Sequence, residues 1–60
     1  MLYQFGVKAT EDHDIEVAEV EAKNLKEAKK KFAERHPEDI ENVDVITSDD
    51  GYEEIGGIKF

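Results

Sequence analysis

Apolar residues take every second position at the start of the chain: Tyr3, Phe5, Val7 and Ala9 share one face, and Gln4, Lys8 and Thr10 the other. Alternation of period two with aromatic and β-branched residues predicts a half-buried strand over Leu2–Thr10. Gly6 interrupts it, weakening the strand locally and leaving room for a bulky neighbour. Glu11-Asp12-His13-Asp14 is a polar turn, since Asp tolerates turn geometry and bonds nearby backbone N–H groups. A second strand follows over Ile15–Ala22. Its apolar set begins as Ile15 and Val17 and then moves to Ala18, Val20 and Ala22. That one-residue change of phase predicts a β-bulge near Val17 and Ala18, within a hairpin.

The period then changes from two to 3.6. Leu25, Ala28, Phe32 and Ala33 form one helical stripe. Asn24 is placed to cap the helix, and Glu27 three residues on completes a capping-box pattern. Lys29, Lys30, Lys31 and Arg35 lie toward the C-terminal half, where cations suit the helix dipole. Pro37 ends the helix at His36, because it has no N–H and disfavours α geometry in the residue before it. Glu38–Asn42 reads as a link to a third strand, Val43–Ser48, with Val43 and Val45 opposed to Ile46. Ser48-Asp49-Asp50-Gly51 is a hairpin signal. Tyr52–Phe60 reads as a fourth strand, bent at Gly56-Gly57.

This order predicts an α+β fold of ββαββ type: a mainly antiparallel four-stranded sheet with one helix on a single face. The expected core is Tyr3, Phe5, Val7, Val20, Phe32, Val45 and Ile55. The other sheet face meets water or a partner. Leu2, Val17, Ile58 and Phe60 are expected near the sheet edges, beyond the helix's cover, where a homodimer would bury them.

Length narrows the function. Sixty residues make a single domain, 1–60, because so short a chain buries only about 60% of its unfolded surface. A ligand pocket of roughly 300 Å³ would consume much of that interior. There is no cysteine, hence no disulfide and no thiolate metal site, which suits a reducing cytoplasm. No 18-residue apolar run exists and Met1–Gln4 lacks a basic leader, so the expectation is a cytoplasmic chain without a membrane partner.

Charge changes the picture most. Sixteen acidic residues against eight basic ones give −8. Leu25–His36 carries five cations and two carboxylates, net +3, so the other 48 residues hold −11. A basic helix is expected over a very acidic sheet. The outward strand candidates are Glu16, Glu19, Glu21, Asp44, Glu53 and Glu54, and the turns add Glu11, Asp12, Asp14, Asp49 and Asp50. Alternate strand residues lie about 6.8 Å apart, close to the roughly 7 Å between phosphates along one nucleic-acid strand. Phosphate mimicry is thus physically open. The plain alternative is that acidity serves solubility alone.

Catalytic and metal constellations are not evident. Asp49-Asp50-Gly51 lacks the alternating ligands and terminal Glu of a calcium loop. His13 and His36 share no ligand spacing and are expected to be far apart, so no zinc site, and no other cofactor, is expected. There is no cysteine nucleophile, and neither histidine lies near the lone Ser48. Gly56-Gly57 is followed by too few residues for a phosphate-binding loop and helix. The expectation is therefore no enzyme. Lys29 to Lys31 and Arg35 are a possible nucleic-acid contact, but the surrounding −11 repels a polyanion and direct binding is not favoured.

The stretch Val17 to Phe32, centred on Val20-Glu21-Ala22-Lys23-Asn24-Leu25-Lys26-Glu27-Ala28, resembles the strand-to-capped-helix passages of small acidic proteins of phages and mobile elements. The resemblance covers about a quarter of the chain and carries over no site residue. It implies a setting, since such proteins often bind and disable a host protein, sometimes by imitating DNA. The leading expectation is a small acidic inhibitor or adaptor that presents its carboxylates to a basic protein, such as a host DNA-binding protein. The alternatives are an accessory interaction module whose acidity only solubilises it, and a nucleic-acid binder using the basic helix.

Overall fold

A computed structural model describes residues 1–60. In chain order come β1 (Leu2–Val7), β2 (Glu16–Glu21), α1 (Leu25–Arg35), a 3-10 turn (Pro37–Asn42), β3 (Val43–Ser48) and β4 (Glu53–Ile55). The fold is α+β. All four strands join in one antiparallel sheet in the order β2-β1-β3-β4, and α1 covers one face. The alternation in β1 does as the sequence predicts: Tyr3, Phe5 and Val7 are buried beneath the helix. β1 stops at Val7 instead of Thr10; Lys8 N still donates to Asn42 O at 2.9 Å, but Asn42 belongs to the 3-10 turn and the pairing ends there.

Two expectations about register need correcting. β1 and β2 pair without interruption from Leu2↔Glu21 to Val7↔Glu16, so there is no bulge at Val17 and Ala18. The irregularity lies in β3, where Gly6 pairs with Val45 but Val7 pairs with Val43, leaving Asp44 as the extra residue. Val43 and Ile46 are three apart and would face opposite ways in a regular strand. The bulge at Asp44 turns both inward, to 7% and 0% exposure. Val45 is thereby displaced to the outer face, half-buried, and its partner Ile55 is 71% exposed. Neither belongs to the core. Val43 and Ile46 take their places, with Ala22 and Ala28.

The helix holds itself and then the core. Asn24 Oδ1 accepts from Glu27 N at 2.9 Å, supplying one N–H of the first turn with a partner. Glu27 reaches back to the N–H of Lys23 at 3.5 Å, one residue earlier than a standard capping box. Phe32 stacks on Phe5 across the helix–sheet interface, with ring centroids 4.6 Å apart and planes within 9°. Burying each of these rings is worth roughly 1.5–3 kcal/mol. Pro37 ends α1 as expected. The following stretch is no simple link, for Pro37 begins a turn of 3-10 helix.

The C-terminal segment departs furthest from expectation. β4 is only three residues long, since Gly56 (φ 69°) and Gly57 (φ 57°) take left-handed conformations and turn the chain off the sheet. Ile58 then packs against the core, and Phe60 lies 5.6 Å from Phe32 and 6.1 Å from Phe5. Lys29 Nζ clasps the tail by donating to Lys59 O at 2.7 Å. Ile58 and Phe60 therefore close the core of their own chain and do not line a sheet edge. No helix is long and apolar enough to cross a membrane.

Candidate protein-binding face

Strand alternation decides what the uncovered sheet face presents. Its side chains are Leu2 and Gln4 of β1, Val17, Glu19 and Glu21 of β2, Val45 and Thr47 of β3, and Glu53 and Ile55 of β4. They line up in rows across the strands. One row runs Glu19–Gln4–Thr47–Glu53, its middle joined by a hydrogen bond from Thr47 Oγ1 to Gln4 Oε1 at 3.2 Å. The next row runs Val17–Gly6–Val45–Ile55. Val17 is 63% exposed. Four strands spaced about 4.8 Å apart make each row roughly 14 Å long. A polar row with carboxylate ends thus lies beside an apolar one.

No Lys or Arg falls within any of the four strands. Asp44, bulged out of β3, sends its carboxylate over the same face, within 3.8 Å of where a Cβ of Gly6 would stand. Glu19, Glu21, Asp44 and Glu53 therefore give this face four carboxylates, with no Lys or Arg from its strands. Glu21 is the one with a direct partner, the Met1 amino group at 2.9 Å.

The remaining sequence candidates are distributed elsewhere. Glu16, opposite Val7, and Glu54, opposite Ile46, are in phase with the helix side. Glu54 accepts from Tyr52 Oη at 2.8 Å, which raises the Tyr52 pKa, and lies 3.7 Å from Lys29 Nζ. Glu11, Asp12 and Asp14 occupy the β1–β2 loop at one end of the sheet, and Asp49 and Asp50 the β3–β4 turn at the other. Ser48 Oγ donates to the Asp50 carboxylate and the Tyr52 N–H adds a bond at 3.3 Å, holding Asp50 below the ordinary carboxyl pKa. The eleven acidic candidates do not form one surface. Four share the open face.

The basic helix is partly committed to its own fold. Lys29 is held by Lys59 O, Glu54 and the Phe60 ring. Lys31 donates to Glu21 O at 2.8 Å and pairs with Glu27 at 3.3 Å, which lowers the Glu27 pKa. Lys26, Lys29, Lys30, Ala33 and Phe60 line a shallow depression of about 200 Å³.

One cluster joins segments that the sequence reading kept separate. His13 and His36, expected far apart, both come to Asp39. His13 Nε2 is 3.4 Å from Asp39 Oδ1, and the ligand atoms of His36, Glu38 and Asp39 lie within 4.8 Å of one another. The loop that carries His13 is closed by Thr10 N donating to His13 O, and it docks on the 3-10 turn through Lys8 N and Asn42 O. The Asp14 carbonyl bonded to Nδ1 raises the His13 pKa, with Glu16 and Asp39 adding to it. Sequence spacing cannot reveal this convergence. Pro37 was its one signal, because it forces a corner that folds Asp39 back beneath His36. The outer apolar row had a signal too: Gly6, read as room for a bulky neighbour, is where Val45 lies.

No protein-family model, curated protein or solved structure matches the chain.

Proposed function

We propose that the chain is a small protein-binding module, an inhibitor or adaptor, whose open sheet face docks on a basic surface of a partner protein. The observation that carries this reading is the face itself: four carboxylates, one of them paired with the Met1 amino group, and no Lys or Arg, set around an apolar row of exposed Val17 and Ile55 and half-buried Val45. A charge pattern that only solubilises has no need of an apolar row beside it. Apolar side chains at the centre of a polar rim are the composition of a recognition surface. The fitting partner offers Lys or Arg around an apolar contact. The DNA-binding surface of a host protein is one such class, and Glu19 and Glu21 along β2 approach the spacing of successive phosphates. Binding, and not catalysis, is the activity this face supports.

The test is a gel-shift competition between the chain and duplex DNA for basic DNA-binding proteins (a DNA-bending histone-like protein, a polymerase subunit, a nuclease), repeated across salt. Competition is expected at low salt and should weaken as salt rises. Glu19→Lys with Glu53→Lys should weaken it about tenfold or more, while Glu11→Lys with Asp12→Lys, in the loop, should not. No competition at low salt removes the DNA-mimic form of the proposal. Equal effects of the face and loop pairs would return the acidity to solubility alone.

A further inference from the structure

We propose that His13, His36, Glu38 and Asp39 form a binding site for a divalent transition metal, zinc being the ion their chemistry fits best. The chain's two histidines are 23 positions apart, yet His13 lies 3.4 Å from the Asp39 carboxylate and His36 stands within 4.8 Å of it. Asp39 is 8% exposed, the only charged residue in the buried set. A carboxylate so withdrawn from water needs charge compensation close at hand. The nearest candidate is His13, and its geometry is informative. Nδ1 of His13 faces the Asp14 carbonyl at 2.9 Å, and a carbonyl can only accept, so Nδ1 carries the proton. Nε2 is then the atom that faces Asp39 Oδ1.

The place between Nε2 and the carboxylate belongs to a cation, and a metal ion competes with the ring proton for it. The separation of 3.4 Å is long for a charge-assisted N–H···O bond, which runs about 2.7–2.9 Å. It matches the edge of a coordination tetrahedron, since arms of about 2.0–2.1 Å subtend edges of about 3.4 Å. The Nδ1-to-carbonyl bond is also the usual outer support of a metal-binding imidazole, fixing its tautomer and aiming the other nitrogen at the ion. His36 is braced in its own way: its ring leans on Phe32 at 5.2 Å, and its carbonyl accepts from Asp39 N at 3.0 Å. His36, Glu38 and Asp39 already lie within 4.8 Å of one another, and His13, which meets Asp39 from the β1–β2 loop, would complete the set as the fourth ligand.

Ligand type selects the metal. Two imidazoles with two carboxylates suit zinc at four coordination, whereas calcium and magnesium ask for six or more oxygens. The two carboxylates neutralise the ion. The site would tie the β1–β2 loop to the corner after α1, joining segments that are otherwise held by few bonds.

The experiment is calorimetric titration of the tag-free full chain with zinc chloride, with calcium and magnesium in parallel. Cobalt(II) serves as the spectroscopic probe of coordination number. One zinc per chain, a tetrahedral cobalt spectrum and no matching response to calcium or magnesium are expected. His13→Gln and His36→Gln should each weaken zinc at least tenfold, the least that even an outer-shell change costs. If either variant fails to fold by its amide NMR spectrum, the histidine ring nitrogen shifts of the unaltered chain report coordination in its place. The site is overturned if zinc does not bind at millimolar concentration, leaving a plain imidazolium–carboxylate pair. It is equally overturned if binding ignores either histidine, or if calcium binds as well as zinc.

Discussion

Val45 lies across Gly6 on the open face of the sheet, so close that a Cβ on Gly6 would overlap its Cγ1. This contact explains why the central strand carries a glycine despite the entropic cost of placing one there. It also seats the middle of the apolar row between Val17 and Ile55. Gly6→Ala would ordinarily gain about 0.5–1 kcal/mol by stiffening the strand. Here the overlap should reverse the sign, with a loss of about 1–3 kcal/mol as Val45 or its strand is displaced. Urea unfolding midpoints of the two chains decide it.

The core prediction sets three aromatic rings against one another. Phe32 is fully buried and stacked on Phe5, so Phe32→Ala should cost about 3–5 kcal/mol. That is most of the margin of a small domain, and the variant should be largely unfolded at room temperature. Phe60 touches both rings but remains 43% exposed. Phe60→Ala should therefore cost clearly less, about 1–2 kcal/mol, and leave a folded chain. Thermal melts followed by circular dichroism separate the two outcomes.

The cap of α1 rests on a single side-chain bond, from Glu27 N to Asn24 Oδ1. Asn24→Ala should lower stability by about 1 kcal/mol, and Asn24→Asp should restore it, since either side-chain oxygen accepts the same bond. Denaturant midpoints of the three chains give the test.

Asp50 supplies the acid-side prediction. The Ser48 hydroxyl and the Tyr52 N–H both donate to its carboxylate, lowering its pKa in the folded chain relative to the unfolded one. A depressed pKa means a stabilising contribution that is present above the unfolded value and is lost as pH falls through the folded value. Carboxyl carbon shifts followed by NMR should give Asp50 a midpoint below the ordinary aspartate range. Ser48→Ala should move that midpoint upward, and an unchanged midpoint would mean that the hydroxyl is not the cause.

Much of the fold was legible because its signals are local. Period-two alternation marked Tyr3, Phe5 and Val7, the Asn24 cap and Pro37 bounded the helix, and Gly51 and Gly56-Gly57 marked where the chain turns. What was not legible depends on pairing. Nothing in Val43-Asp44-Val45-Ile46 says whether Val45 or the pair Val43 and Ile46 faces inward. That is settled by Gly6 opposite Val45 and by the room beneath α1 for two large side chains. The acidic face was half legible for the same reason: Glu19, Glu21, Asp44 and Glu53 lie on it, whereas Glu16 and Glu54 fall in the other phase. The approach of His13 and His36 to Asp39 joins a loop to a distant corner, which only the folded chain creates.

If the open face docks on a basic protein, its two kinds of row should act on different steps of binding. Glu19 and Glu53 end the polar row and remain exposed, so they act while the partner is still approaching. Exposed charges at the edge of an interface steer encounter and set its salt dependence, with little effect on the lifetime of the complex. Val17 and Ile55 are apolar and exposed, and they act only once water has been expelled from between the surfaces. Reversing Glu19 and Glu53 to Lys should therefore slow association about tenfold or more at low salt, and the deficit should shrink as salt screens it. Val17→Ala with Ile55→Ala should leave association nearly unchanged and speed dissociation about five- to thirty-fold, the equivalent of about 1–2 kcal/mol. Surface plasmon resonance across a salt series measures both rates on any captured partner. A charge reversal that leaves association untouched, or an apolar truncation that leaves dissociation untouched, would show that the partner does not sit on this face.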